Sequence, residues 1–185
     1  MNEQSNRIET AELHEKIAET LVVHGLRAPI VKRIAKVRPA IIKHYYLQHH
    51  NRNSPSGQMP TNTLWHADGY KQSTHSALVV LVFLRLLDEI KQTRPNATRD
   101  QLIAHAFTRT LAFYNDSCQG DPVLSPERAW SITQHFSDKS AFVRNAGNPN
   151  GIKVVKCACC EIPLVVLSHY RDYTCELCLS GKKVH

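Results

Sequence analysis

The residues best suited to chemistry are four cysteines near the end of the sequence. Cys157 and Cys160 form one Cys-x-x-Cys pair, and Cys175 and Cys178 form a second pair after an interval of fourteen residues. Two such pairs on either side of a short hairpin-like stretch are typical of a tetrahedral Zn²⁺ site. Four thiolates fill the coordination sphere, so the pattern predicts one structural zinc ion per chain and no open position for water or substrate.

The cysteine spacing is also compatible with other roles. A Cys-x-x-Cys pair can be a redox dithiol, the thiols can lie unliganded in a small core, and His169 can replace one sulfur as a ligand. Cys159 has neither pair's spacing, and we interpret it as an extra thiol that faces away from the ion. Cys118 stands alone and is expected to be a partly buried small hydrophobe.

Motifs of common enzyme classes are absent from the sequence. It contains no Gly-rich phosphate loop, no nucleophile elbow and no His-Glu-x-x-His. A zinc deaminase needs His-x-Glu upstream of Pro-Cys-x-x-Cys, and neither half occurs. We therefore expect no enzymatic activity, and a metal enzyme is the weakest of the interpretations considered.

Positive charge is concentrated in one segment. The formal net charge is +7, and residues 20–67 contain no Asp or Glu. Such a basic stripe indicates a phosphate-binding surface, although a solvated face or contacts to an acidic partner would have the same composition. The cations of this segment are Arg27, Lys32, Arg33, Lys36, Arg38, Lys43 and Arg52.

Three short helices are predicted in and before this basic segment, at about 11–24, 28–35 and 39–49. Their apolar positions recur at helical spacing, and the second and third are separated by a tight link. This arrangement resembles a helix-turn-helix unit, although a generic three-helix core would give the same pattern. The DNA-binding candidates are Lys32, Arg33, Lys36, Arg38, Lys43, His44 and Arg52, with Gln48 or His49 as further positions on the third helix.

The rest of the sequence predicts a mostly α protein with a small C-terminal appendage. A helix capped by Ser73 or Thr74 is expected to run to about Thr93, and Thr98 and Ser125 precede two more helices. The Gly-, Asn- and Pro-rich stretch 145–151 is the best candidate linker. We therefore divide the chain into a helical body, residues 1–144, and a zinc-ribbon module, residues 152–180.

Within that module, residues 162–167 are expected to form a strand whose partner is the stretch 169–174. Neither a secretory signal nor an apolar run of the roughly 20 residues needed to cross a bilayer occurs. We therefore expect a cytoplasmic protein without a membrane partner, in a compartment where thiols stay reduced.

Several separate segments together resemble a known family. They are Arg38-x-x-Ile41-Ile42-Lys43-x-Tyr45, the loop Ser54 to Pro60 followed by Trp65, His75-Ser76, Arg128-Ala129-Trp130, and the cysteine cluster with its extra middle thiol. From about Leu21 to Leu179 the sequence resembles the FlhC family, the C subunits of the bacterial flagellar master regulator, or a paralogue of it.

The resemblance implies a zinc-containing, mostly helical DNA-binding subunit. Members of the family assemble with the smaller FlhD subunit into a heterohexamer of four D and two C chains, which activates flagellar (class II) operons through promoter DNA and RNA polymerase. The family pattern places the zinc ligands on Cys157, Cys160, Cys175 and Cys178. The alternative is a zinc-stabilised protein-interaction module without direct DNA contact, whose basic stripe docks on an acidic partner.

Overall fold

The computed structural model describes residues 3–119, 121–137 and 151–181, and the side chains among these from residue 11 onwards. The described chain is mostly helical and ends in a small cysteine-containing module, as predicted. Its elements are α1 (Glu3–Val23), α2 (Ala28–Ala35), α3 (Pro39–His50), a 3₁₀ helix (Leu64–Ala67), α4 (Tyr70–Thr93), α5 (Arg99–Ser117), α6 (Pro126–Ser137), β1 (Ile152–Lys156), β2 (Pro163–Leu167) and α7 (Glu176–Leu179).

The chain forms two compact units. The first contains residues 1–59 and 85–120, and the second contains residues 60–84 and 121–185. The division falls within α4, so the cysteine module belongs to the same unit as the first part of that helix. The predicted linker at 145–151 lies, except for Gly151, outside the described residues, and the predicted boundary between 144 and 152 stays a prediction.

In the first unit, α1 packs against α2, α3 and α5. Leu21, Val31 and Ile42 are among its fully buried side chains, one each from α1, α2 and α3. Tyr46 is also buried, and its hydroxyl donates a 2.7 Å hydrogen bond to the carbonyl of Leu26. This bond fixes α3 to the turn that follows α1.

A left-handed residue lies in each of the two turns that join α1, α2 and α3. Gly25 (φ +80°) follows α1, and the Leu26 amide donates back to the Leu21 carbonyl at 3.0 Å, which satisfies the end of the helix. No glycine marks the turn after α2; Lys36 adopts φ +55° there, and its amide donates to the Lys32 carbonyl. Pro39 begins α3 with its φ already set for a helix.

The predicted starts of the later helices are correct in two cases and wrong in one. Thr98 and Gln101 form a full capping box before α5, and the Ser125 hydroxyl accepts from the Arg128 amide at the start of α6. The prediction that Ser73 or Thr74 caps α4 is wrong, because the helix begins at Tyr70.

The second unit contains a polar cluster beside its apolar core. The guanidinium carbon of Arg128 lies 3.8 Å from the Trp65 ring centroid, a close cation–π contact. His66 is buried, and its Nδ1 lies 2.8 Å from the Ser76 hydroxyl. These contacts join the 3₁₀ helix to α4 and α6.

A two-stranded antiparallel sheet forms the module that carries the cysteines. β1 pairs with β2 in a register that places Ile152 opposite Leu167 and Lys156 opposite Pro163. The predicted pairing of β2 with residues 169–174 is wrong, because the chain turns after Leu167 and the Tyr170 amide donates back to its carbonyl. The strand that pairs with β2 is β1, which precedes the first cysteine pair.

Candidate metal centre and basic surface

The four predicted cysteines converge on one point. The Sγ atoms of Cys157, Cys160, Cys175 and Cys178 all lie within 4.8 Å of one another. The Cys157–Cys178 sulfur distance is 3.9 Å, and the Cys160–Cys175 distance is 3.8 Å. A tetrahedral ion with metal–sulfur bonds of about 2.3 Å separates its ligand sulfurs by about 3.8 Å. The group therefore has the donor set and the spacing of a tetrahedral thiolate site.

Local backbone structure explains why each pair turns inward. Cys157 follows β1, its amide donates to the Ile162 carbonyl at 2.9 Å, and the Glu161 amide donates to the Cys157 carbonyl at 3.0 Å. Glu161 adopts φ +59°, so the first pair lies on a tight turn between the strands. Cys175 is the N-cap of α7, which places Cys178 one turn further along the same short helix.

Backbone amides direct positive charge toward one sulfur. The amides of Cys175 and Cys159 donate to Cys157 Sγ at 3.3 and 3.5 Å. Burial opposes ionisation of Cys157, but amide hydrogen bonds from Cys160, Cys175 and Cys159 outweigh it and lower the pKa of its thiol to about 6. A hydrogen bond with the adjoining Cys175 thiol, together with burial, raises the pKa of the Cys178 thiol.

The four-cysteine group is also the core of its module. Cys157 and Cys175 are buried together with Leu164 and Val166 of β2, and Tyr70 packs against this cluster. Burial and the charges of the cysteines raise the pKa of Tyr70. The module is further attached to α4, because the Ser73 hydroxyl donates a 2.7 Å hydrogen bond to the Val165 carbonyl. Ser73 thus has a docking role that its sequence position did not suggest.

The other cysteines, and the histidine considered as an alternative ligand, lie outside the four-sulfur group. Cys159 is exposed, and neither it nor His169 belongs to the four-residue cluster. Cys118 is half-buried at the end of α5. The group fits a single ion held by Cys157, Cys160, Cys175 and Cys178.

The seven cations of the basic stripe all lie in the first unit, but they do not share one role. The Arg27 guanidinium donates to the carbonyls of Gly57 and Gln58, both at 3.2 Å, and so holds the loop beside α2. Lys36 forms a 2.7 Å salt bridge with Asp100 of α5, a pairing that the sequence did not suggest. The Lys36 ammonium and the resulting hydrogen bond lower the pKa of the Asp100 carboxyl.

The remaining cations of the stripe are exposed. Within the described residues no acidic side chain forms a salt bridge with any of them. His44 of α3 is also exposed, whereas His49 contacts Glu19 of α1 at 3.0 Å. The exposed, unbridged cations are Lys32, Arg33, Arg38, Lys43 and Arg52.

Among the described residues, no helix is both long enough and apolar enough to cross a membrane. No protein-family model matches the chain, and a search of curated proteins finds no match either.

Proposed function

We propose that the four sulfurs hold one structural Zn²⁺ ion per chain. The support is the donor set: four thiolates at tetrahedral spacing suit zinc, and zinc has no redox chemistry or coordination preference that would require another geometry. When bound, the ion supplies folding energy rather than a reaction centre, because all four coordination positions are taken by the chain itself.

We propose further that the chain is a DNA-binding transcription activator subunit of the FlhC type. The observation that carries this proposal is the acid-free segment 20–67, which contains α2, a three-residue turn and α3. It carries five exposed cations that form no salt bridge with any described acidic residue. A duplex carries one negative charge per about 1.7 Å of axis, so such a surface has a natural polyanionic partner.

The sequence resemblance supports the wider assignment. On that basis the chain acts in the cytoplasm with an FlhD-like subunit, in a heterohexamer of four D and two C chains, and without enzymatic activity. Its targets are flagellar (class II) promoters, where the complex contacts promoter DNA and RNA polymerase.

Salt dependence of duplex binding tests the DNA proposal. If about six phosphates are neutralised, affinity falls on the order of a thousandfold between 50 and 200 mM salt. Fluorescence anisotropy with a labelled promoter fragment, with and without the FlhD-like subunit, measures this slope. A flat response, or no binding in either condition, contradicts the proposal.

Charge-removal variants locate the surface. We call α2, α3 and the turn between them, residues 28–50, the basic helix pair. We expect Arg38→Ala and Lys43→Ala each to weaken duplex binding, because Lys43 is exposed on α3 and Arg38 is exposed at its N-cap position. Lys91→Ala is the matched control, since Lys91 is an exposed lysine of α4 in the same unit. If Arg38→Ala and Lys43→Ala both bind as the wild type does, α3 is not the reading helix.

An alternative function is a zinc-stabilised protein-interaction module without direct DNA contact. The observation that favours it is a pair of exposed leucines on one face of α4, Leu78 and Leu81, which are 36% and 42% exposed. A protein partner that covers this face, together with absence of duplex binding at low salt, would support this alternative over the first.

A further inference from the structure

Helix α3 has two chemically different faces. The inner face carries Ile42 and Tyr46, both buried, and His50, whose Nε2 group donates a 2.6 Å hydrogen bond to the Val22 carbonyl of α1. His49 is directed to the same helix through its contact with Glu19. These positions recur every three or four residues, so the opposite face is the one left to solvent.

The outer face combines hydrogen-bonding and apolar groups at helical spacing. All of its members are exposed, and the described structure gives no hydrogen bond from any of their side chains. Leu47 is 45% exposed near the end of α3, a helix whose solvent side is otherwise polar after its first turn. The members of this face are Ala40, Lys43, His44, Leu47 and Gln48.

Contacts elsewhere in the unit hold α2 and α3 in place. The Tyr46 hydroxyl is bonded to the Leu26 carbonyl, and the first amide of α2, that of Ala28, donates to the Ser54 hydroxyl at 2.9 Å. The Arg27 guanidinium fixes the loop that carries Gly57. A helix fixed on its inner side has its backbone ordered before binding, so only the side chains of the outer face remain to be ordered.

The chemistry of that face matches the edges of base pairs. A B-DNA major groove is about 12 Å wide and admits an α-helix, guanine presents two acceptors there, and thymine presents a methyl group. Lys43 and His44 can donate to guanine, and the side chains of Ala40 and Leu47 can contact thymine methyls. An acid-free surrounding segment favours a polyanion over a protein as the partner that covers Leu47.

We propose that the outer face of α3 is the specificity-determining surface. Lys43 and His44 read guanine, Ala40 and Leu47 read thymine methyls, and the flanking cations Lys32, Arg33 and Arg52 bind phosphates. This inference rests on the proposed DNA-binding function and adds to it a division of roles between sequence readout and charge.

Selection from a pool of random duplexes tests the division. The full chain, alone and with an FlhD-like subunit, selects a consensus with at least one fixed G·C pair and at least one fixed A·T pair. Lys43→Ala reduces the preference at a guanine position about tenfold or more, and Leu47→Ala reduces the preference at a thymine position by several fold. Leu47→Gln serves as a second variant that keeps the side chain long but removes its branched methyl groups.

Matched variants separate readout from charge. The salt slope is the slope of the logarithm of the binding constant against the logarithm of the salt concentration. Leu47→Ala leaves this slope unchanged, because no cation is removed. Arg33→Ala weakens binding to all duplexes alike, lowers the slope by about one, and keeps the consensus. Lys91→Ala, outside the surface, leaves both unchanged. Circular dichroism confirms that each variant retains the helical content of the wild type.

The results of the selection distinguish failure of the readout inference from failure of the DNA-binding proposal. If Lys43→Ala and Leu47→Ala select the same consensus as the wild type, with equal preference at every position, the readout inference is wrong while the DNA-binding proposal stands. The same holds if the wild type binds duplexes without any consensus. If no duplex is bound at low salt by the chain with or without its companion, the DNA-binding proposal fails and the readout inference fails with it.

Discussion

At the residue scale, Cys159 and Cys175 differ in a way that metal analysis can measure. Cys175 is fully buried within the four-sulfur group, whereas Cys159 is exposed and outside it. We expect Cys159→Ser to retain one zinc ion per chain and Cys175→Ser to lose it, because a hydroxyl is a poor substitute for a thiolate ligand. Elemental analysis of both purified variants beside the wild type measures this, and zinc loss in Cys159→Ser alone would contradict the ligand set.

His66 gives a pH-dependent term in stability. Burial, with additional repulsion from Arg128 and His135, lowers the pKa of His66 to about 4 from 6.5. Below pH 6.5 the unfolded chain therefore binds a proton that the folded chain does not, so stability is full above pH 6.5 and falls as the pH approaches 4. The shift corresponds to about 3 kcal/mol across that window.

We predict that His66→Asn removes this term while its amide keeps a contact with Ser76. Urea unfolding at pH 7, 6, 5 and 4 measures the free energy of unfolding of both proteins. The difference between them cancels the acid sensitivity that both share through the cysteine ligands. We expect the free energy of unfolding of the wild type, minus that of the variant, to fall by up to about 3 kcal/mol as the pH drops from 7 to 4. Parallel curves would show that His66 titrates alike in the folded and unfolded chains.

Spacing within the sequence was sufficient to find the four-cysteine group and insufficient to find the polar cluster of the second unit. Two Cys-x-x-Cys pairs are a local pattern, because each pair forms its own turn. Arg128 and Trp65 lie on α6 and the 3₁₀ helix, far apart in the sequence, and only tertiary packing brings them to 3.8 Å. Both residues lie in segments that contribute to the family resemblance, but nothing in the sequence indicated that they are in contact.

At the element scale, the contact between α4 and β2 gives a prediction about Ser73. Its hydroxyl is buried and donates to the Val165 carbonyl, so Ser73→Ala leaves that acceptor without a partner. We expect a loss of about 1–3 kcal/mol in the free energy of unfolding. Thr74→Ala is the neighbouring control, because its hydroxyl bonds only within its own helix and its removal should change stability by about 0.5 kcal/mol or less.

Chemical denaturation of the zinc-loaded variants measures both effects. Equal stability of Ser73→Ala and Thr74→Ala would mean that the hydrogen bond does not hold the module to α4. Two expectations about these elements failed, each because it depended on contacts that are distant in the sequence. Ser73 has the sequence character of a helix cap, and only the packed strand shows that it is needed inside the helix. β1 was missed because its partner strand lies on the other side of the first cysteine pair.

At the scale of the whole molecule, the two proposed functions fall in different compact units. The basic helix pair belongs to the first unit, and the sulfur group belongs to the second. The sequence predicted the mostly helical class because apolar spacing and capping residues are local signals. It did not predict that residues 60–84 fold with the cysteine module, because that grouping depends on contacts between segments far apart in the chain.

Zinc removal should therefore affect the two units unequally. A structural zinc site contributes about 10–16 kcal/mol of apparent binding free energy, comparable to the whole stability of a typical domain. We expect a strong chelator to abolish hydrogen-exchange protection in β1 and β2, where Cys157 and Cys175 are core residues. Protection of α2 and α3 should persist, since their buried contacts are made with α1, α5 and each other.

Hydrogen exchange read by mass spectrometry, before and after chelation, measures both regions in one sample, and elemental analysis confirms that the metal is gone. Salt-dependent binding to non-specific duplex should also survive, because it depends on cations of the first unit. Protected β1 and β2 amides in metal-free protein would show that the apolar cluster folds the module without an ion. Loss of protection in α3 would show instead that the metal centre stabilises the basic helices, and the two units would then have to be treated as one folding unit.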